Sequence, residues 1–310
     1  MKYLIIGAGG TGGALGAYLA RGGMDVDFLA RGAHLQSLQS SGLRVIQPDG
    51  EFTVSPVRAS DAEHYDGRPD IIFVCVKGYS LEGILPFLQA FTTNRTIVIP
   101  VLNLFGTGEK LQERLPDPLV TDGCIYVASE ILSPGCILMR GSILRVVYGP
   151  RHPEEYRPEL KEVEADLNAC GISGILSDHI RRDALMKFSY VSPQGACGVY
   201  YDVPAGAMQR PGTYRDCFAA LINEIAALAG AMGIAFQEDP VLRGLGILDS
   251  LSPEMTTSLQ RDLKRGGPSE LDGLVYEVVR LGERYGIDLP EYRKIAAELK
   301  RRGLNYTHEQ

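Results

Sequence analysis

The run Gly7-Ala8-Gly9-Gly10-Thr11-Gly12 constrains this chain more than any other stretch. Before it, the apolar Met1–Ile6 reads as a buried strand. After it, the amphipathic Gly13–Arg21 reads as a helix that stops at Gly22-Gly23, and Val26–Ala30 reads as a second short strand followed by Arg31. Strand, glycine turn, helix and strand is the order that opens a dinucleotide-binding βαβ unit. Gly7 suits the tight turn out of the strand, Gly9 lets the backbone approach a pyrophosphate, and Gly12 lets the helix pack on the strand. The free N–H groups and positive end of the helix then face the phosphates. The whole run from Gly7 to Gly12 is therefore a candidate cofactor-binding loop. The alternative is a glycine-rich turn with no ligand.

The end of the second strand decides which dinucleotide. An NAD enzyme places Asp or Glu there to accept from the ribose 2′-OH. Here the position holds Ala30, and Arg31 follows. A guanidinium matches a 2′-phosphate with paired charge-assisted hydrogen bonds, whereas a carboxylate repels it. Asp27 is the one nearby acid, and it comes too early to reach the ribose from the strand end. Arg31 thus points to NADP, against the bland reading of a surface arginine after a strand.

The 310 residues suit two domains better than one, and 45% hydrophobic with 22% charged residues allows sizeable cores. A net charge of −7 with no basic run argues against a nucleic-acid partner. No apolar run is long enough to span a bilayer. The first strand serves the fold at once, so no signal peptide is expected and the location expected is cytoplasmic. Six cysteines, without C-x-x-C spacing, and five dispersed histidines favour core packing over metal or disulfides. No metal site is expected.

Further along, His34–Ser41 reads as a short helix, and Leu43–Gln47 and Phe52–Val57 as a hairpin around Pro48-Asp49-Gly50. Asp70–Val76 and Thr96–Leu102 are continuous apolar runs, as in parallel strands buried on both faces. They alternate with helices at Leu81–Phe91 and Gly106–Leu115. Leu119–Ser129 and Ile143–Tyr148 read as further strands, with a charged helix near Glu154–Cys170. The pattern changes at about Ser177, after which strand signals almost vanish. Helices are expected from Leu185, over Tyr214–Met232, from Ser252-Pro253-Glu254 to about Arg265, from Pro268 to about Tyr285, and after Pro290 through Leu299. His308-Glu309-Gln310 reads as a frayed end. The expected fold class is α/β: a Rossmann-type parallel-sheet domain over 1–176, followed by an all-helical domain over 177–310.

In open α/β sheets the ligand lies outside the carboxyl ends of the strands. Those ends present the glycine loop, Arg31, Lys77-Gly78 and Asn103, so Lys77 and Asn103 join the candidate cofactor residues. Each alone also reads as a polar residue closing a strand.

Taken together, the glycine run, Ala30-Arg31, Val76-Lys77, Asn103 and Gly106-Thr107 resemble the ketopantoate reductase family (2-dehydropantoate 2-reductase). Arg181–Lys187 resembles that family's first C-terminal helix with its lysine, and Ser258–Asp262 and Ser269-Glu270 resemble its serine and glutamate segments. The resemblance covers nearly the whole chain. It implies reduction of a 2-keto acid to a 2-hydroxy acid by NADPH on the route to pantothenate. It further implies that Lys187 donates to the ketone oxygen, that Glu270 holds the substrate hydroxyl, that Ser258 holds its carboxylate, and that Asn103 bridges cofactor and substrate. A keto acid is then the expected partner, and a homodimer is compatible with it. Read without the family, Lys187 is a solvated helix lysine and Glu270 an acid in a helix's first turn.

Two departures bear on the substrate. The family has asparagines about one and two turns after the lysine, where this chain has Val191 and Gly195. Pro193 is expected to interrupt that helix and to let Ser192 or Gln194 substitute by a local shift. The asparagine-glycine step of the family is also changed, to Asn103-Leu104. A site specifies polar groups by pairing them, so the loss of amides favours another keto acid or an imine as alternative substrates. A non-catalytic NADP-binding protein is the remaining alternative.

Overall fold

The first apolar run becomes β1 (Lys2–Ile6), whose last four residues are fully buried. It leads into α1 (Gly10–Arg21), β2 (Asp25–Leu29), α2 (Gly32–Ser41), the antiparallel pair β3 (Leu43–Gln47) and β4 (Gly50–Val54), and β5 (Arg58–Ser60). β6 (Ile71–Val74), α3 (Leu81–Phe91), β7 (Ile97–Pro100), α4 (Thr107–Gln112) and β8 (Leu119–Val120) follow. The chain then forms a long hairpin of β9 (Asp122–Ser133) and β10 (Cys136–Gly149), then α5 (Pro158–Ala169) and β11 (Ser173–Leu176). From there it is helical: α6 (Ile180–Tyr201), α7 (Ala205–Met208), α8 (Thr213–Ala231), α9 (Pro240–Asp249), α10 (Ser258–Lys264), a π-helical turn Asp272–Tyr276, α11 (Glu277–Tyr285) and α12 (Pro290–Arg301). This computed structural model describes residues 1–304; the sequence end read as frayed lies outside them.

Six strands form a parallel sheet in the order β5-β2-β1-β6-β7-β8. Its central strands are apolar on both faces because helices cover both, and Tyr3 sits between Val26 and Ile71 in register. Strand order reverses at β1 and β6, so a crevice opens at the carboxyl ends of these two strands. A second sheet runs β11-β10-β3-β4, with β9 along β10.

The chain divides into two compact units. One comprises Met1–Leu102 and Gly106–Ile180; the other joins Asn103–Phe105 to the chain from Arg181 on. The first has a core around Leu15, Phe28, Phe73 and Ile99. The second has its own, around Phe218, Leu221, Ile225 and Tyr292.

Several elements differ from the sequence reading. The strand expected over Leu119–Ser129 is two strands divided at Thr121, one in each sheet. Ile143–Tyr148 is the end of the longer β10, whose bulges between Met139 and Leu144 break the alternation. Ser252-Pro253-Glu254 opens no helix. The cap is Thr257, which accepts from the Gln260 amide while Gln260 reaches back to the Thr257 N–H. α6 begins at Ile180 rather than Leu185 and runs unbroken through Pro193. The proline removes one backbone donor, but the helix is held from the side. Ser192 donates to the Leu274 carbonyl at 2.6 Å and pairs with the Tyr292 hydroxyl at 2.5 Å.

Candidate active site

A cavity of about 400 Å³ opens beyond the ends of β1, β2 and β6, lined by Gly7, Ala8, Gly9, Gly10 and Thr11 together with Ala30, Arg31, His34 and Lys77. Gly7 has φ +90, a left-handed conformation open to glycine, and a Cβ there would meet Val76 at 2.9 Å. Space over Gly9 is open for 4 Å. Gly12 is not part of the wall. A Cβ on it would lie 2.3 Å from the Gly7 carbonyl and 2.9 Å from Ile5, so its absence lets α1 lie against β1. α1 has no acidic residue in its first turn, and its leading N–H groups follow directly on the glycine turn.

Arg31 is exposed at the start of α2, on the wall of this cavity. Among the described residues its guanidinium enters no hydrogen bond or ion pair. Asp27 is fully engaged elsewhere. It is buried, accepts from Arg58 Nε at 2.8 Å and the Tyr65 hydroxyl at 3.1 Å, and pairs with Lys2 at 2.9 Å. The one acid near the end of β2 is thus a structural residue of the sheet edge.

Sequence reasoning passed over His34. It follows Arg31 by one helical turn, and that spacing was the available signal. Its Nδ1 accepts from the Gly135 amide at 3.1 Å, across 101 residues of chain. Burial holds the imidazole below its ordinary pKa, against the raising effect of the Ala8 backbone. Its Nε2 is buried without a partner; among the described residues only the Ser129 hydroxyl oxygen shares that condition. His34 lines the cavity with the glycine loop, and a Cβ on Gly10 would be 2.8 Å from the Ser129 carbonyl. An imidazole nitrogen with no hydrogen-bond partner, an unengaged arginine and a helix N-terminus around one cavity fit an anionic dinucleotide.

In the second unit, Lys187 Nζ donates to Asn103 Oδ1 at 2.6 Å, joining residues 84 positions apart. Lys187 is only 9% exposed, so its charge needs such a partner. Asn103 is fixed by its neighbours: Leu104 covers Gly273, and the Phe105 ring lies 6.2 Å from that of Phe188. Glu270 is buried just ahead of the π-helical turn, and Ser258 is the first residue of α10. Both segments pack on α6. A Cβ on Gly195 would meet Leu259 at 3.3 Å and Leu274 at 3.9 Å. Gly195 therefore faces apolar packing rather than a polar ligand. With about 3.6 residues per turn, Gln194 lies only about 20° from Lys187 around the helix. It is 8% exposed. The Ser192 hydroxyl, by contrast, is committed to Leu274 and Tyr292.

Two profiles described as ketopantoate reductase PanE/ApbA and its C-terminal part match residues 3–153 and 179–303. The chain belongs to the ketopantoate reductase family. A 2-dehydropantoate 2-reductase of Mesorhizobium japonicum is 28% identical, with 97% of each chain covered. A ketopantoate reductase structure from Ralstonia eutropha superposes with a TM-score of 0.86 at 26% identity, covering 97% of this chain and 98% of that one. D-mandelate dehydrogenase with NADH and anilino(oxo)acetate shares the fold, with a TM-score of 0.86 at 20% identity over 99% and 100% of the two chains. The protein is an NADP-dependent oxidoreductase of this family, with NADPH as the cofactor. No described helix is long and apolar enough to cross a membrane.

Proposed function

We propose that this protein reduces a 2-keto acid to a 2-hydroxy acid, with 2-dehydropantoate the favoured substrate and pantothenate synthesis the setting. The observation that carries the reading is the 2.6 Å bond from Lys187 to Asn103, which holds a buried ammonium in a defined place. NADPH supplies a hydride to the carbonyl carbon when bound. Lys187 stabilises the charge that grows on the carbonyl oxygen and delivers a proton to it. A buried cation does this better than water because its field is strong there and already oriented. Asn103 fixes the direction of the ammonium. Glu270 orients the substrate hydroxyl and Ser258 receives its carboxylate. On the cofactor side, the Gly7–Thr11 backbone receives the pyrophosphate, Arg31 the 2′-phosphate, and Lys77 lines the same wall.

A panel of 2-keto acids, followed by the loss of NADPH absorbance, tests the reading directly. Steady turnover of 2-dehydropantoate supports it, and turnover of none of the acids overturns it. A second reading, reduction of another keto acid or an imine, is favoured by Val191 and Gly195 on α6. Val191 offers only methyl groups, and Gly195 faces Leu259 and Leu274. An unpaired substrate hydroxyl costs about 1–3 kcal/mol. Values of kcat/KM for 2-dehydropantoate and an analogue lacking the hydroxyl should therefore agree within roughly tenfold, or about 1.4 kcal/mol. A far larger preference would assign the missing hydrogen bond to Gln194, the amide nearest the lysine's face.

A further inference from the structure

His34 lies outside the site residues read from the sequence, yet its geometry is that of a donor waiting for an acceptor. An amide N–H can only donate, so the 3.1 Å bond from Gly135 to Nδ1 makes that nitrogen the acceptor. The ring proton must then sit on Nε2. Among the described residues that N–H has no partner at full hydrogen-bond geometry; the Ala8 backbone is its near neighbour, and the ring lines the cavity with Ala8, Arg31 and the glycine loop. A buried donor left unpaired is costly, and native chains keep few of them. Gly135 belongs to the turn between β9 and β10, so the second sheet sets the tautomer used in the cavity of the first.

We propose that His34 is a cofactor-binding residue, donating Nε2–H to a phosphate oxygen on the adenosine half of NADPH. This rests on the NADP reading above. The shared chemistry is a phosphate oxyanion, and two sources carry it: the 2′-phosphate next to Arg31 and the 5′-diphosphate over the glycine loop. The neutral imidazole suffices, since the donor is present without a second proton. His34 thus adds a hydrogen bond where Arg31 adds charge, and the hairpin fixes the direction of that bond.

The test measures binding of NADPH, 2′,5′-ADP and 5′-ADP to the full chain and to two variants. His34→Asn keeps an acceptor for the Gly135 amide but cannot reach with a donor. His34→Gln places an amide nitrogen near the position of Nε2. Hydrogen bonds to charged groups set the expected loss in His34→Asn at roughly ten- to a hundredfold for NADPH, with most of it recovered in His34→Gln. A loss for 2′,5′-ADP alone identifies the 2′-phosphate, and an equal loss for 5′-ADP identifies the diphosphate; either supports the donor. Unchanged affinity in His34→Asn overturns the proposal while leaving the NADP reading intact. So does a lowered melting temperature with no change in affinity, which would mark His34 as a prop for the hairpin. A parent protein that binds none of the three ligands overturns both readings.

Discussion

Arg31 stands on the cavity wall with its charge uncommitted among the described residues, while Asp27 is locked into the sheet edge by Arg58, Lys2 and Tyr65. A charge-assisted hydrogen bond is worth about 1.5–3 kcal/mol, so Arg31→Ala should weaken NADPH binding by roughly ten- to a hundredfold. NADH, which has no 2′-phosphate, should bind nearly as before. Equal losses for the two dinucleotides in a titration would remove the assignment. Lys187 is a different case, because its contribution is expected in the transition state. A positioned acid contributes about 10²–10⁴ in rate, and Lys187→Ala should lower turnover by that order. Turnover within about threefold of the parent would shift the role elsewhere, with Lys77 the next residue to replace. The places of Arg31 and Lys77 on the cavity wall were legible in the sequence because strand ends border the crevice in open α/β sheets. Lys187, Ser258 and Glu270 enter as candidates only by resemblance, since helix spacing alone makes them solvated residues. His34 was hidden because its meaning depends on Gly135, which the chain brings beside it from 101 residues away.

At the level of elements, reading succeeded where one face or both faces of an element are buried regularly. It failed where a local signal was overruled from outside. Pro193 should end a helix, yet α6 passes through it because Ser192 is anchored to Leu274 and Tyr292. Ser252-Pro253 is a good start signal that the chain leaves unused, with Thr257 and Gln260 providing a full capping box later. α12 is capped in a way no local sequence shows. The Glu224 carboxylate, on α8, accepts from the Glu291 and Tyr292 amides at 2.7 and 2.9 Å. Burial pushes its pKa up, and the two amides act against that rise. Removing the carboxylate with Glu224→Ala leaves those donors bare and should cost about 1–2 kcal/mol. Chemical denaturation should record it as a lower midpoint with an unchanged slope. A midpoint equal to the parent's would mean that the cap adds nothing net of burying the charge. Gly12 makes a sharper demand, because a methyl group at 2.3 Å from the Gly7 carbonyl cannot be accommodated without moving α1 or the loop. Gly12→Ala should therefore weaken NADPH binding and stability together, and a loss of neither in parallel binding and melting measurements would show that the loop can shift freely.

The described chain folds as two units, each with its own core. The change from strand to helix signals near Ser177 falls where β11 ends and α6 begins, but the return of Asn103–Phe105 to the second unit has no trace in local pattern. It is set by Leu104 on Gly273 and by Lys187 on Asn103. This allocation predicts how cofactor affects stability. Every residue lining the cavity belongs to the first unit, so NADPH should stabilise the protein through that unit. A ligand held only by the folded state at about 100 times its Kd adds about 2.7 kcal/mol. For a unit of this size each kcal/mol raises the midpoint by about 2–4 °C, which gives roughly 5–10 °C. At one fixed NADPH concentration, calorimetry should find most of that shift lost in Arg31→Ala and kept in Lys187→Ala. The first variant loses an anion partner from the cavity wall, and the second loses a group the cofactor's adenosine half does not need. A shift lost equally in both would mean that the lysine helps to hold the cofactor, and its place in the reaction would have to be separated from binding by single-turnover rates.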